Sequence, residues 1–135
     1  MRDFIEIRWN LWYIVFKEVI TVAENKLADM STEFSIQILK LTENIKGHYS
    51  LSNQLERSGT SIGANISEAV YGNSKADFIS KLHISLKETG ESIYWITLLK
   101  RTNLIEYNFD GLLSIAEEIK RMLIASLNTA KENNK

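Results

Sequence analysis

The chain has 135 residues, with 16 Lys+Arg against 17 Asp+Glu, a formal net charge of −1 and a pI near 6.1. There is no cysteine, which excludes disulfides and thiolate metal sites, and the near-zero charge argues against a protein that coats nucleic acid by bulk electrostatics. With 44% hydrophobic and 24% charged residues, the composition is too apolar for disorder and suits one domain able to bury a core without staples.

Proline is also missing, where ordinary usage would place about seven in a chain this long. Proline breaks helix interiors and punctuates the loops of β-rich folds, so its absence fits long helices joined by short turns.

Residues 1–22 stand apart. The stretch from Trp9 to Phe16 reads WNLWYIVF. It is shorter than the roughly 20 apolar residues a membrane span needs, and Lys17 and Glu18 interrupt it. Asp3 and Glu6 spoil the basic start of a signal peptide. The expectation is an extra helix or arm that packs on the body or on a neighbour. The alternatives are a membrane-surface or partner-docking segment, or a natural start of translation further along the chain.

From Leu27 to Ile45 the period is helical: Leu27, Met30, Phe34, Ile38, Leu41 and Ile45 share one face, Asp29 or Ser31 is a candidate cap, and Lys46-Gly47 is the expected stop. A second helix is predicted from about 52 to 70, with Leu51, Leu55, Ser58, Ile62, Ile66 and Ala69 inward. Gly59 and Gly63 inside it each cost roughly 1 kcal/mol relative to Ala, a loss that close approach of another backbone would offset. Ser74 and Asp77 read as an N-cap pair opening a third helix that runs to about Arg101. A fourth helix is predicted from about Asn108 to Thr129, burying Phe109, Leu112, Leu113, Ala116, Ile119, Leu123 and Leu127. Without repeats, low-complexity tracts or linkers, residues 23–130 are expected to form an all-α, antiparallel, up-and-down four-helix bundle, with 131–135 as a frayed tail.

Helix three carries more apolar surface than one core needs. Phe78, Ile79, Leu82, Leu86, Ile93 and Ile96 share the side expected to face the core. A second stripe holds Ile84, Tyr94, Trp95 and Leu98, with Glu88 and Glu91 between the two. Exposed apolar surface of that size marks an interface, so Ile84, Glu88, Glu91, Tyr94, Trp95 and Leu98 are the expected subunit contact; the competing reading is that the N-terminal arm covers the stripe. On helix two, Gln54, Arg57, Ser61, Asn65 and Glu68 line a polar face. Arg57, Ser61, Asn65 and Glu68 read as a solvated face, as a buried network reaching Glu88 or Glu91, or, with those two carboxylates, as a small-molecule or metal site; the planar guanidinium fork suits the second.

Catalytic signatures are weak. The histidines, His48 and His83, lack the Glu-x-x-His spacing of carboxylate-bridged metal bundles, and no nucleophile elbow, Walker loop or dinucleotide fingerprint appears. Ser58-Gly59-Thr60-Ser61 falls inside a helical pattern whose backbone N–H groups are already used. No enzyme, cofactor or metal is expected. Local basic residues remain: Lys40, Lys46, Lys100 and Arg101 are the candidate nucleic-acid contacts, because phosphate binding needs only local charge.

Leu51 to Ala69 reads LSNQLERSGTSIGANISEA, and Ser74 to Leu99 reads SKADFISKLHISLKETGESIYWITLL. Together with ADMSTEFSIQILKL from Ala28, these segments resemble the bacterial four-helix-bundle family named for proteins encoded within 23S ribosomal RNA intervening sequences. The carriers are Arg57, Ser58, Ser61, Ile62, Asn65, Ile66 and Glu68 in the first motif and Phe78, Leu82, Glu88, Glu91 and Trp95 in the second. The resemblance covers about residues 24–127 and implies a cytoplasmic, antiparallel bundle assembled into a homopentameric ring with a central channel and no established enzymatic activity. A related branch, the accessory protein of diversity-generating retroelements, is basic and works with a reverse transcriptase and nucleic acid; the net charge of −1 departs from that branch. The implied partners are further copies of the chain and RNA or a nucleic-acid-processing protein.

Overall fold

The computed structural model describes residues 2–72 and 74–132, with side chains from Asn25 onwards and, before it, at Leu11 and Ile14. Four helices account for nearly all of it: α1 (Arg2–Glu43), α2 (Tyr49–Val70), α3 (Lys75–Thr102) and α4 (Phe109–Glu132). No strand occurs among the described residues. Each helix packs on the next, and α1 closes the bundle against α4. Neighbours run antiparallel. Gly59 of α2 meets Ile38 of α1, and Gly63 meets Ser31. Across the next seam Ser58 meets Ser92, Ile62 meets Ser85, and Glu68 meets Lys81.

The core follows the sequence period closely on three helices. Leu27, Phe34, Ile38, Leu41 and Ile45 are buried from α1 and its exit, Leu55, Ile62, Ile66 and Ala69 from α2, and Phe109, Leu112, Ala116, Ile119, Leu123 and Leu127 from α4. Met30, Leu51 and Leu113 are half-buried at its edge. The helix termini use short-range chemistry. Ser74 Oγ accepts from the Asp77 backbone N–H (3.1 Å), and Asn108 Oδ1 accepts from that of Gly111 (3.0 Å). Asn103 ends α3 in the left-handed region at φ 53°.

Several expectations need correction. No helix begins near Leu27: α1 runs unbroken from Arg2, so Asp29 and Ser31 are interior, and Ser31 Oγ donates to the Ala28 carbonyl instead of capping. α1 ends at Glu43, and Gly47, at φ +83°, belongs to the connector. α4 continues to Glu132 with Ala130 fully buried, so Lys131 and Glu132 are helical, while 133–135 lie outside the described residues. On α3 the innermost line is Phe78, Leu82, Ser85, Thr89, Ser92, Ile96 and Leu99, whereas Ile79, Leu86 and Ile93 pack at its margin. Small hydroxyl residues occupy the centre because they bond locally. Ser85 Oγ donates across to the Ile62 carbonyl (2.9 Å), Ser92 Oγ to Ser58 Oγ (3.0 Å), and Thr89 Oγ1 to the Ser85 carbonyl (2.8 Å).

The glycines of α2 make room for side chains of α1. A Cβ on Gly59 would stand 2.9 Å from Ile38 Cγ1, and one on Gly63 would stand 3.1 Å from Ser31 Oγ. Close approach does occur, and it is α1 side chains that fill the space.

Candidate functional site

The outer flank of α2 and α3 gathers most of the residues singled out above. Arg57 projects from α2 with its side chain 49% exposed and reaches across to two carboxylates one turn apart on α3. Its Nη1 donates to both oxygens of Glu88 (3.4 and 3.3 Å), its Nη2 donates to Glu91, and its Nε donates to Gln54 Oε1 (3.4 Å). The i, i+3 spacing puts Glu88 and Glu91 on the edge of α3 nearest α2, and the fork of Arg57 spans them. Trp95 joins through its indole N–H, which donates to Glu91 Oε1 (3.3 Å). Tyr94 and Trp95 meet edge to face with centroids 4.9 Å apart.

The electrostatics follow from this clasp. The hydrogen bond from Arg57 holds the Glu91 carboxyl below its ordinary range; burial opposes that shift and the Trp95 N–H adds to it. The same pairing raises the Arg57 guanidinium further above its already high value, so it stays protonated. A general base needs a pKa near neutrality, and Glu91 is pushed the other way.

The rest of the predicted polar network does not converge on Arg57's guanidinium. Ser61 Oγ donates to the Arg57 backbone carbonyl, and Asn65 Nδ2 donates to the Ser61 carbonyl (2.8 Å). Glu68 instead pairs with Lys81 (3.0 Å), a partner that sequence spacing had not singled out. The signal for Lys81 was present in the antiparallel register: pairing 58 with 92 and 62 with 85 brings 68 near 81. Among the described residues, no group of three His, Cys, Asp or Glu side chains is placed to hold a metal.

The α3 stripe divides. Ile84 (39%), Tyr94 (59%) and Leu98 (38%) are exposed on the outside, whereas Trp95 is half-buried against the core. The N-terminal segment does not fold back as a separate arm, because it continues α1. Other large apolar residues also face solvent, among them Ile36 and Leu39 on α1.

The four candidate cations lie at one end of the bundle. α1 and α3 finish where α2 and α4 begin, so Lys40 and Lys46 from the first connection and Lys100 and Arg101 from the third share that end. Lys100 is already paired with Asp110 (2.6 Å). Beside it Lys100, Asn103, Tyr107 and Asp110 contribute to an open cleft of about 350 Å³. No described helix is long and apolar enough to cross a membrane.

Comparison with known proteins places this geometry. Residues 23–125 match the family described as 23S rRNA-intervening sequence protein. Among solved structures, the chain is similar to a protein of unknown function from the S23 ribosomal protein family of Bacteroides thetaiotaomicron VPI-5482, at 40% identity and a TM-score of 0.73, covering 78% of this chain and 98% of that one. Comparison with curated proteins found no match. The match over most of its length means that the chain belongs to the 23S rRNA-intervening sequence protein family.

Proposed function

We propose that the protein is a non-enzymatic, cytoplasmic scaffold or adaptor that assembles with copies of itself, in the ring of five that its family resemblance implies, and associates with RNA or a nucleic-acid-processing partner. The observation that carries the reading is the outward stripe of Ile84, Tyr94 and Leu98 beside the Arg57–Glu88–Glu91 clasp. Large apolar side chains flanked by an ordered charged pair fit a contact surface better than a catalytic one. Light scattering at micromolar concentration tests it. The wild type should elute well above the 15.5 kDa of one chain, and Tyr94→Glu combined with Leu98→Glu should return it to that mass. A wild-type monomer would end the reading. Trp95 is a poorer probe, because it also packs on the core.

A second reading, direct RNA binding, is favoured by the shared end of Lys40, Lys46, Lys100 and Arg101. Four phosphate contacts would make affinity fall about 50- to 150-fold between 50 and 200 mM salt. Binding that ignores salt would exclude it.

A further inference from the structure

We infer that the N-terminal half of α1 is an assembly element that packs against the same segment of other copies of this chain. The first observation is length. α1 has 42 residues, or about 63 Å at 1.5 Å per residue, against about 33 Å for the 22 residues of α2. Gly63 of α2 meets Ser31 of α1 and α2 ends soon after at Val70, so α1, helical from Arg2, runs on past the end of α2. That segment precedes the part matched by the family, which starts at residue 23.

The second observation is exposure. Leu11 is 57% and Ile14 is 55% exposed on this projecting helix. The sequence carries apolar residues at 4, 7, 11 and 14, the alternating three-four spacing of a coiled-coil seam. The run WNLWYIVF adds apolar residues at every helical phase between 9 and 16. A helix apolar around its circumference is buried on all sides in stable proteins.

Three occupants compete, and the geometry favours one. The segment is one continuous helix with the rest of α1, so it does not fold back over the chain's own bundle. A membrane surface covers one face only and favours helices with a basic polar side; here Asp3, Glu6 and Glu18 alternate with Arg2, Arg8 and Lys17. Several copies of the same segment, by contrast, bury one another on more than one side. The contact does not depend on the α3 stripe and stands or falls separately from it.

The absence of cysteine gives a direct test on the full-length chain. Leu11→Cys should form an interchain disulfide under mild oxidation at micromolar concentration, while the exposed Ser114→Cys on α4, away from the α3 stripe, should not. Leu11→Glu combined with Ile14→Glu should shift the dissociation midpoint in sedimentation velocity at least tenfold upward in concentration, with helicity by circular dichroism retained. Failure of Leu11→Cys to cross-link, or an unchanged midpoint in the double variant, overturns the inference. Flotation with phosphatidylcholine–phosphatidylglycerol vesicles that the double variant loses, at unchanged mass, would assign the face to lipid and also overturn it. The Tyr94→Glu, Leu98→Glu chain separates the two assembly surfaces: a Leu11→Cys cross-link that persists in it leaves the N-terminal contact standing when the α3 contact is gone.

Discussion

Arg57 is the residue on which the α2–α3 flank turns. It faces two carboxylates, and the one it bonds most directly, Glu91, has its pKa depressed. A depressed carboxyl contributes stability that is present above its unfolded pKa, about 4.3, and is lost as pH falls through its lower folded value. Arg57→Ala should therefore be less stable than the wild type at pH 7, with the gap closing below about pH 4; urea titrations of both chains at pH 7 and pH 3 would measure it. A gap independent of pH would show that Arg57 acts through its apolar stem alone. Glycine gives a second contrast at this scale. Gly90 has nothing within 4 Å of a Cβ, so Gly90→Ala should stabilise by up to about 1 kcal/mol. Gly59 faces a buried, branched Ile38 at 2.9 Å, so Gly59→Ala should destabilise by about 1–3 kcal/mol despite its better helix propensity. Thermal denaturation of the two variants should move in opposite directions.

At the scale of elements, α3 separates pattern from packing. Hydropathy places Ile79, Leu86 and Ile93 inward, yet Ser85, Thr89 and Ser92 have no exposed surface, like Ile96 and Leu99. Their hydroxyls are satisfied by Ile62, Ser85 and Ser58, and their small size fits the space between α2 and α3. Replacing one with a larger apolar residue should therefore harm the fold: Ser92→Leu should lower stability by about 1–3 kcal/mol, read from the denaturation midpoint, although leucine is the more hydrophobic. The start of α1 makes a related point. Asp29 and Ser31 have the chemistry of caps, but a cap works only where backbone N–H groups are free, and the preceding residues are already helical.

For the whole molecule, the outward apolar residues are where the proposed assembly can be tested. Ile84, Tyr94 and Leu98 on α3, with Leu11 and Ile14 on the projecting α1, leave a single chain with more greasy surface than its core requires. If copies associate through them, folding and assembly are linked, and the thermal midpoint should rise with chain concentration; a midpoint constant over a hundredfold range would indicate that one chain is stable and self-sufficient. The four cations at one end make a separate claim, read in the salt dependence of RNA binding.

The helical class, the number of helices in the bundle and most of the core were legible without coordinates, because a buried helical face must repeat an apolar residue every three or four positions, and Leu27 through Leu127 do so. The meeting of Arg57 with Glu88 and Glu91 was suggested by complementary charge, but its realisation needed the antiparallel register of α2 and α3. Only the fold decided that Glu68 takes Lys81, that hydroxyls fill the α2–α3 seam, that Trp95 tucks inward while Tyr94 stays out, and that the N-terminal residues prolong α1. Each of these depends on which side chain lies opposite which across a seam, and that distance is set by the packing of two helices together rather than by the period of either one.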